Sequence, residues 1–217
     1  MSKPASFLAT LRTPKVLVFA LVSALLIAAD QISKFLVVKH IRFQRESIDV
    51  IPGFFALVHT RNPGAVIGMF GDLPVPVRLT IFGVFTVVAV GVILSFLWQL
   101  PARDRFQALT LGCIFSGAIG NALDRAFNDN HMVVDFLRVY TDHAGIKAWL
   151  VEHFGTNEYP TFNVADSAIV VGVGLFLLRY LFLDDSKEGD VDPDGDPDGE
   201  TEKIARERDA AKPAPVP

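Results

Sequence analysis

The run VADSAIVVGVGLFLLRYLFL, Val164–Leu183, decides the fold. It has the length, about 20 residues, that crosses a bilayer as a helix, and beyond Asp166 its one charged residue is Arg179. Three further apolar blocks match it: Val16–Ala29, continuing past two polar breaks to Val38; Val77–Trp98; and Phe106–Leu123. The whole chain agrees with them, since 51% of its 217 residues are hydrophobic and 18 are Phe. We therefore read an all-α membrane protein, with four transmembrane helices in one domain spanning residues 1–183.

The connection Gln99–Arg105 between helices two and three is short, carries Arg103 and Arg105, and reads as cytoplasmic. Both termini are then cytoplasmic, and segments 39–76 and 126–162 lie outside. Lys39, Arg42, Arg45 and Arg61 would be external, against the positive-inside trend.

Outside the helices, Ser47–Phe70 alternates short apolar runs with Pro52-Gly53 and Pro63-Gly64, which predicts short strands joined by turns. An open sheet edge leaves backbone groups unsatisfied in lipid, so this small β-sheet belongs at one membrane face. In the second external segment Ile146, Trp149, Leu150, His153 and Phe154 recur at helical spacing, the pattern of a short helix lying on the membrane or packed within a loop.

Residues 184–217 are polar and rich in Asp, Glu, Pro and Gly, the composition of a disordered acidic tail. Asp190-x-Asp192-x-Asp194-Gly195 resembles the start of a calcium loop, but position twelve is Thr201 and no metal is expected there. The lone Cys113 sits in an apolar helix, which excludes an intramolecular disulfide and a cysteine metal cluster. Lys3, Arg12 and Lys15 precede the first helix like the basic start of a signal peptide. Ile27 interrupts a small-x-small cleavage pattern, and an uncleaved first helix is expected.

Ionisable residues beside these helices are the candidates for chemistry, because a charge within the bilayer costs roughly 2.5–3.5 kcal/mol on insertion scales. Asp30 has Lys34 one turn away, and Asp124 has Arg125 beside it, so each has a cation to hold it ionised. Asp135, within Val133-Val134-Asp135-Phe136, and Asp166, within Phe162-Asn163-Val164-Ala165-Asp166, have none nearby in sequence and are free to share a proton. Asn163 is placed to cap the last helix, with Asp166 in its first turn. A carboxylate there is favoured in its charged form, making Asp166 the base of the pair. Gly117, Asn121 and Arg125 fall four apart on one face of helix three, small then polar.

Taken in order, Asp30-Gln31-x-Ser33-Lys34, Asn62-x-Gly64-Ala65, Gly117-Ala118-x-Gly120-Asn121-x-x-Asp124-Arg125, Val133-Val134-Asp135-Phe136 and Phe162-Asn163-x-Ala165-Asp166 resemble the five sequence blocks of the bacterial lipoprotein signal peptidases, or signal peptidases II. The resemblance runs from about Val16 to Leu183 and omits the tail, and the Tyr140–Thr161 stretch is longer than in that pattern.

The resemblance implies an inner-membrane aspartyl endopeptidase with an external β-sheet cradle, cutting diacylglyceryl-modified prolipoproteins just before the lipidated cysteine. It implies Asp135 and Asp166 as the catalytic pair, and Asn62, Gly64, Asn121, Arg125 and Asn163 as polar positions around them. Asp30, Lys34 and Asp124 are implied as supporting residues. The expected partners are the prolipoprotein substrate and membrane lipid, with no cofactor, metal or nucleic acid. The competing class is a small proton-coupled transporter using the same intramembrane carboxylates. Four helices without visible internal repeats suit it less.

Overall fold

The computed structural model describes residues 13–64 and 69–182, leaving out the side chain of Phe182. The basic N-terminal residues, Ala65–Gly68 of the second motif and the acidic tail therefore lie outside the described residues. The chain forms two compact units, Met1–Leu177 and Leu178–Pro217. All packing below belongs to the first, and of the second only the end of the last helix is described.

In chain order the elements are α1 (Pro14–His40), β1 (Ser47–Ile51), β2 (Phe55–Asn62), α2 (Val75–Gln99), α3 (Arg105–Phe127), β3 (Val133–Val139), α4 (Ala144–Phe154) and α5 (Val164–Phe182). Four of these, α1, α2, α3 and α5, are long and apolar enough to cross a membrane. Their ends follow local chemistry. Pro14 opens α1, where its missing N–H would have no partner anyway. Asp104 caps α3, its Oδ1 accepting from the Gln107 amide at 3.1 Å. Lys15 is buried at the start of α1 and donates to the Trp98 and Leu100 carbonyls at 2.9 and 2.6 Å, closing the end of α2.

The bundle is built around α3. Of its apolar window 44% is buried, against 6% for α2 and 17% each for α1 and α5, so the other three turn most of their apolar surface outward. Small residues make that central position possible. A Cβ on Gly117 would come within 2.3 Å of the Ala165 carbonyl, and one on Gly120 within 2.7 Å of Asp30 Oδ2. At the other end of α3, Phe19, Ile93, Leu97, Ala108 and Leu111 form an apolar core.

The three strands make one antiparallel sheet in the order β1-β2-β3. The expected strands in 47–70 are β1 and β2, while β3, which carries Asp135, was not anticipated as a strand. Its first four residues are all buried, so it lacks the alternation that marks a half-exposed strand. Val134 and Phe136 pack with Val37 and Ile41, pinning the sheet to the end of α1. Helix α4 forms as expected and ends at Gly155, whose φ of 74° suits glycine. The alternative of a packed loop helix is corrected, since α4 has no buried residue and Ile146, Trp149 and Phe154 are all more than half exposed.

Candidate active site

The ends of α1 and α3, the start of α5 and the strand β3 meet at one end of the bundle, and all of the residues named from sequence as site candidates except Gly117 gather there in contact with one another. Asn163 links the two candidate carboxyls. Its Nδ2 donates to Asp135 Oδ1 at 2.7 Å, its backbone N–H donates to Asp166 Oδ2 at 3.1 Å, and its Oδ1 accepts from the Asp166 amide at 2.9 Å. The last two bonds are a reciprocal capping box, so the local rule that starts α5 also aims Asp166.

Asn121 completes the frame. Its Nδ2 donates to Asp166 Oδ1 at 2.7 Å, while its Oδ1 accepts from Lys34 Nζ and Asn163 Nδ2, both at 3.1 Å. Two donors on the oxygen and an acceptor on the nitrogen fix the orientation of this amide.

The two carboxyls differ in surroundings. Asp135 is 2% exposed on β3, and burial, reinforced by the nearby charge of Asp166, pushes its carboxyl up to about 7 despite hydrogen bonds from Asn62 and Asn163. Asp166 is partly exposed and held through both oxygens by N–H donors at a helix start. Asp135 can therefore still carry a proton near neutral pH.

Beneath this pair lies a buried ionic cluster. Lys34 Nζ is 2.8 Å from Asp30 Oδ2 and 2.9 Å from Asp124 Oδ2. The expected cation for Asp30 is thus found, but that for Asp124 is corrected. Arg125, one residue on, points elsewhere around the helix, and the cation on Asp124 is Lys34 from α1. Both carboxylates also take backbone donors: Asp30 accepts through its other oxygen, Oδ1, from the Ala165 amide at 2.9 Å, and Asp124 accepts through the same Oδ2 from the Val134 amide at 3.0 Å. The cluster therefore anchors the chain next to each candidate carboxyl, Ala165 before Asp166 and Val134 before Asp135.

Asn62 Oδ1 accepts from the Gly64 amide at 2.9 Å, forming a tight turn, and its side chain hydrogen-bonds Asp135. Arg125 donates from Nη2 to the Gly64 carbonyl at 2.7 Å and from Nη1 to the Asn121 carbonyl at 3.2 Å, holding that turn against α3. Of the stripe on α3, Asn121 and Arg125 face the site. Gly117 does not, because its bare face is filled by Ala165 and Ile169 of α5.

Two contributors were not assigned roles from sequence. Gln31 Nε2 donates to Asp30, Asp124 and the Gly120 carbonyl at 3.1 to 3.2 Å, and lay unremarked within the first motif. Thr60 donates to the Asp135 carbonyl at 2.9 Å, a contact across strands that no spacing reveals. Among the described residues no group of three or more His, Cys, Asp or Glu side chains is placed to hold a metal ion.

The chain has relatives among known proteins. Residues 22–182 match the family model for signal peptidase (SPase) II. The lipoprotein signal peptidase of Maridesulfovibrio salexigens is 35% identical over 74% of this chain and 92% of its own length. That of Desulforapulum autotrophicum is 39% identical over 75% and 90%. A bacterial membrane enzyme solved by the in meso method superposes with a TM-score of 0.60 at 25% identity, covering 76% of this chain and 92% of that one. With four membrane-length helices, a three-stranded sheet and a family match over most of its length, the chain belongs to the signal peptidase II family.

Proposed function

We propose that this protein is an aspartyl endopeptidase of the bacterial cytoplasmic membrane that releases signal peptides from diacylglyceryl-modified prolipoproteins, cutting before the lipidated cysteine with Asp135 and Asp166. The observation that carries this reading is the linkage of the two carboxyls through Asn163, one raised to about 7 and the other held by N–H donors. Such a pair matches the requirement of a two-carboxyl peptidase for one protonated and one ionised member.

In the proposed reaction Asp166 takes a proton from water as its oxygen bonds to the scissile carbonyl carbon. Protonated Asp135 hydrogen-bonds the carbonyl oxygen and transfers its proton as the tetrahedral intermediate forms. Collapse breaks the C–N bond: the nitrogen takes the proton from Asp166, and Asp135 recovers its own as the carbonyl reforms. The products are the signal peptide carboxyl and the amine of the lipidated cysteine. In this reading Asn62, at the edge of the site, orients the peptide backbone, while Arg125 braces the turn that carries it.

The termini are proposed to be cytoplasmic, with the site near the outer face, following the short Arg103- and Arg105-bearing link. The carrier reading is set aside, because the family matched across 22–182 is one of peptidases.

The test uses the full chain purified in detergent with a lipidated prolipoprotein. Asp135→Asn and Asp166→Asn are expected to lower turnover by about 10²–10⁴-fold or more, with elution and substrate binding unchanged. Turnover by either variant near the wild-type rate would sink the reading.

A further inference from the structure

We infer that the groove between α2 and α3 seats one acyl chain of the lipid-modified substrate, with the Arg125 Nε–H receiving that chain's ester carbonyl. The inference rests on the peptidase reading above and names the subsite where its lipid is held.

The groove has a volume of about 330 Å³ and is walled mainly by apolar and small residues, among them Leu79, Gly83 and Val87 of α2 and Ala122 and Ala126 of α3, with Arg125, Thr86 and His131 as its polar lining. Two alanines one turn apart and a glycine keep it open: a Cβ added to Gly83 would meet nothing within 4 Å. Val87 is 72% exposed, so the far end opens on the apolar surface that α2 presents to lipid. From Leu79 to Val87 the wall runs about 12 Å along the helix, enough for the first part of a fatty acyl chain.

Arg125 selects the occupant. The Arg125 guanidinium lies 4.1 Å from the Phe82 ring centroid, and its Nη1 and Nη2 bond the Asn121 and Gly64 carbonyls. Its Nε is buried with no hydrogen-bond partner among the described residues. A buried N–H in that state carries a desolvation cost that an arriving acceptor removes. Guanidinium only donates, so the complementary group is a bare oxygen acceptor. A carbonyl joined directly to a long alkyl chain satisfies donor and apolar wall together, and a fatty acyl ester is that group. Position agrees as well. Asn121, one turn before Arg125, bonds Asp166 at 2.7 Å, so an ester at Nε sits about one helical turn from the proposed catalytic pair.

The test compares wild type with Gly83→Leu, which adds a side chain to the groove wall while leaving Arg125 itself unchanged, both as full chains in detergent. Each is given peptides bearing a dipalmitoylglyceryl or a dibutyrylglyceryl cysteine. The variant is expected to raise KM for the dipalmitoyl peptide about tenfold while leaving its kcat and both constants for the dibutyryl peptide unchanged. An equal rise for both peptides, or no rise for either, would overturn the inference. A dipalmitoyl peptide with a photoreactive group on its acyl chain supplies a readout independent of cleavage. Labelling is expected within 79–87 and 122–126, and labelling confined to α1 or α5 overturns the groove assignment. Failure of wild type to cleave either peptide would instead count against the peptidase reading, with the labelling still deciding the groove.

Discussion

Asn163 donates to Asp135 across 2.7 Å from the residue that also begins α5, so the strand carrying one carboxyl and the helix carrying the other are registered by a single side chain. Neither element could shift along its axis without breaking that bond.

Because burial raises the Asp135 carboxyl to about 7, activity is expected to decline as pH rises through that value and Asp135 loses its proton. Stability carries the same sign. The folded state holds this proton from the ordinary carboxylate range up to about 7 while the unfolded chain does not, so the contribution is present at low pH and is lost as pH rises through about 7. Unfolding midpoints in detergent between pH 4 and 8 check this. Asp135→Asn should flatten the slope, and an unchanged slope would assign it to other groups.

Replacing Asn163 by Ala removes the cap of α5 and both links to the carboxyls. A stability loss of about 1 kcal/mol from the cap is expected, together with a much larger fall in kcat, on the order of 10²-fold. Asp135 also loses a hydrogen bond that holds its carboxyl down, so the alkaline limb of the pH–rate profile should move upward. A limb that stays in place or moves downward would contradict the assigned role.

Lys34→Met leaves Asp30 and Asp124 buried without their cation and is expected to cost about 3–5 kcal/mol. Adding Asp30→Asn and Asp124→Asn to the same chain should restore part of the midpoint. If the triple variant melts no higher than the single one, the cluster is not the source of the loss.

Gly117→Ala would place a methyl group 2.3 Å from the Ala165 carbonyl, where no rotamer can relieve it. The start of α5 must then move away from α3, breaking the bond between Asn121 and Asp166. A destabilisation of about 1–3 kcal/mol with near-complete loss of turnover is expected, and wild-type turnover would show that α5 tolerates the shift.

Ile146, Trp149 and Phe154 on α4 are exposed, with Trp149 stacked on His153 at 4.6 Å between ring centroids. Changing all three to Ser should leave the unfolding midpoint unmoved and raise KM several-fold, consistent with contact to substrate or lipid. A fall in kcat at constant KM would place α4 in the chemical step instead.

The helices were legible in the sequence because each apolar run is long, even where polar pairs interrupt the first. The block from Val16 to Val38 lies within α1, and Val77–Trp98 within α2. The capping of α5 by Asn163 was legible for a similar reason, since both partners lie within four residues. Strand β3 was not, because burial on both faces erases alternation. The partner of Asp124 was missed through a different cause. Adjacent residues on a helix point about 100° apart, so Arg125 could not share its face, and Lys34 stands in a helix 90 positions earlier in the chain. The contacts of Gln31 and Thr60 and the α2–α3 groove likewise depend on distant segments coming together.

The capping box at the start of α5 has a consequence for how the protein fails. Helix ends fray first, and here the first turn to loosen contains Asp166 and the residue that orients Asp135. A partial opening too local to register in a melting curve would already separate the two carboxyls. Heat or harsh detergent should therefore silence the enzyme several degrees before the bundle comes apart, and lost turnover would report on that single turn of helix.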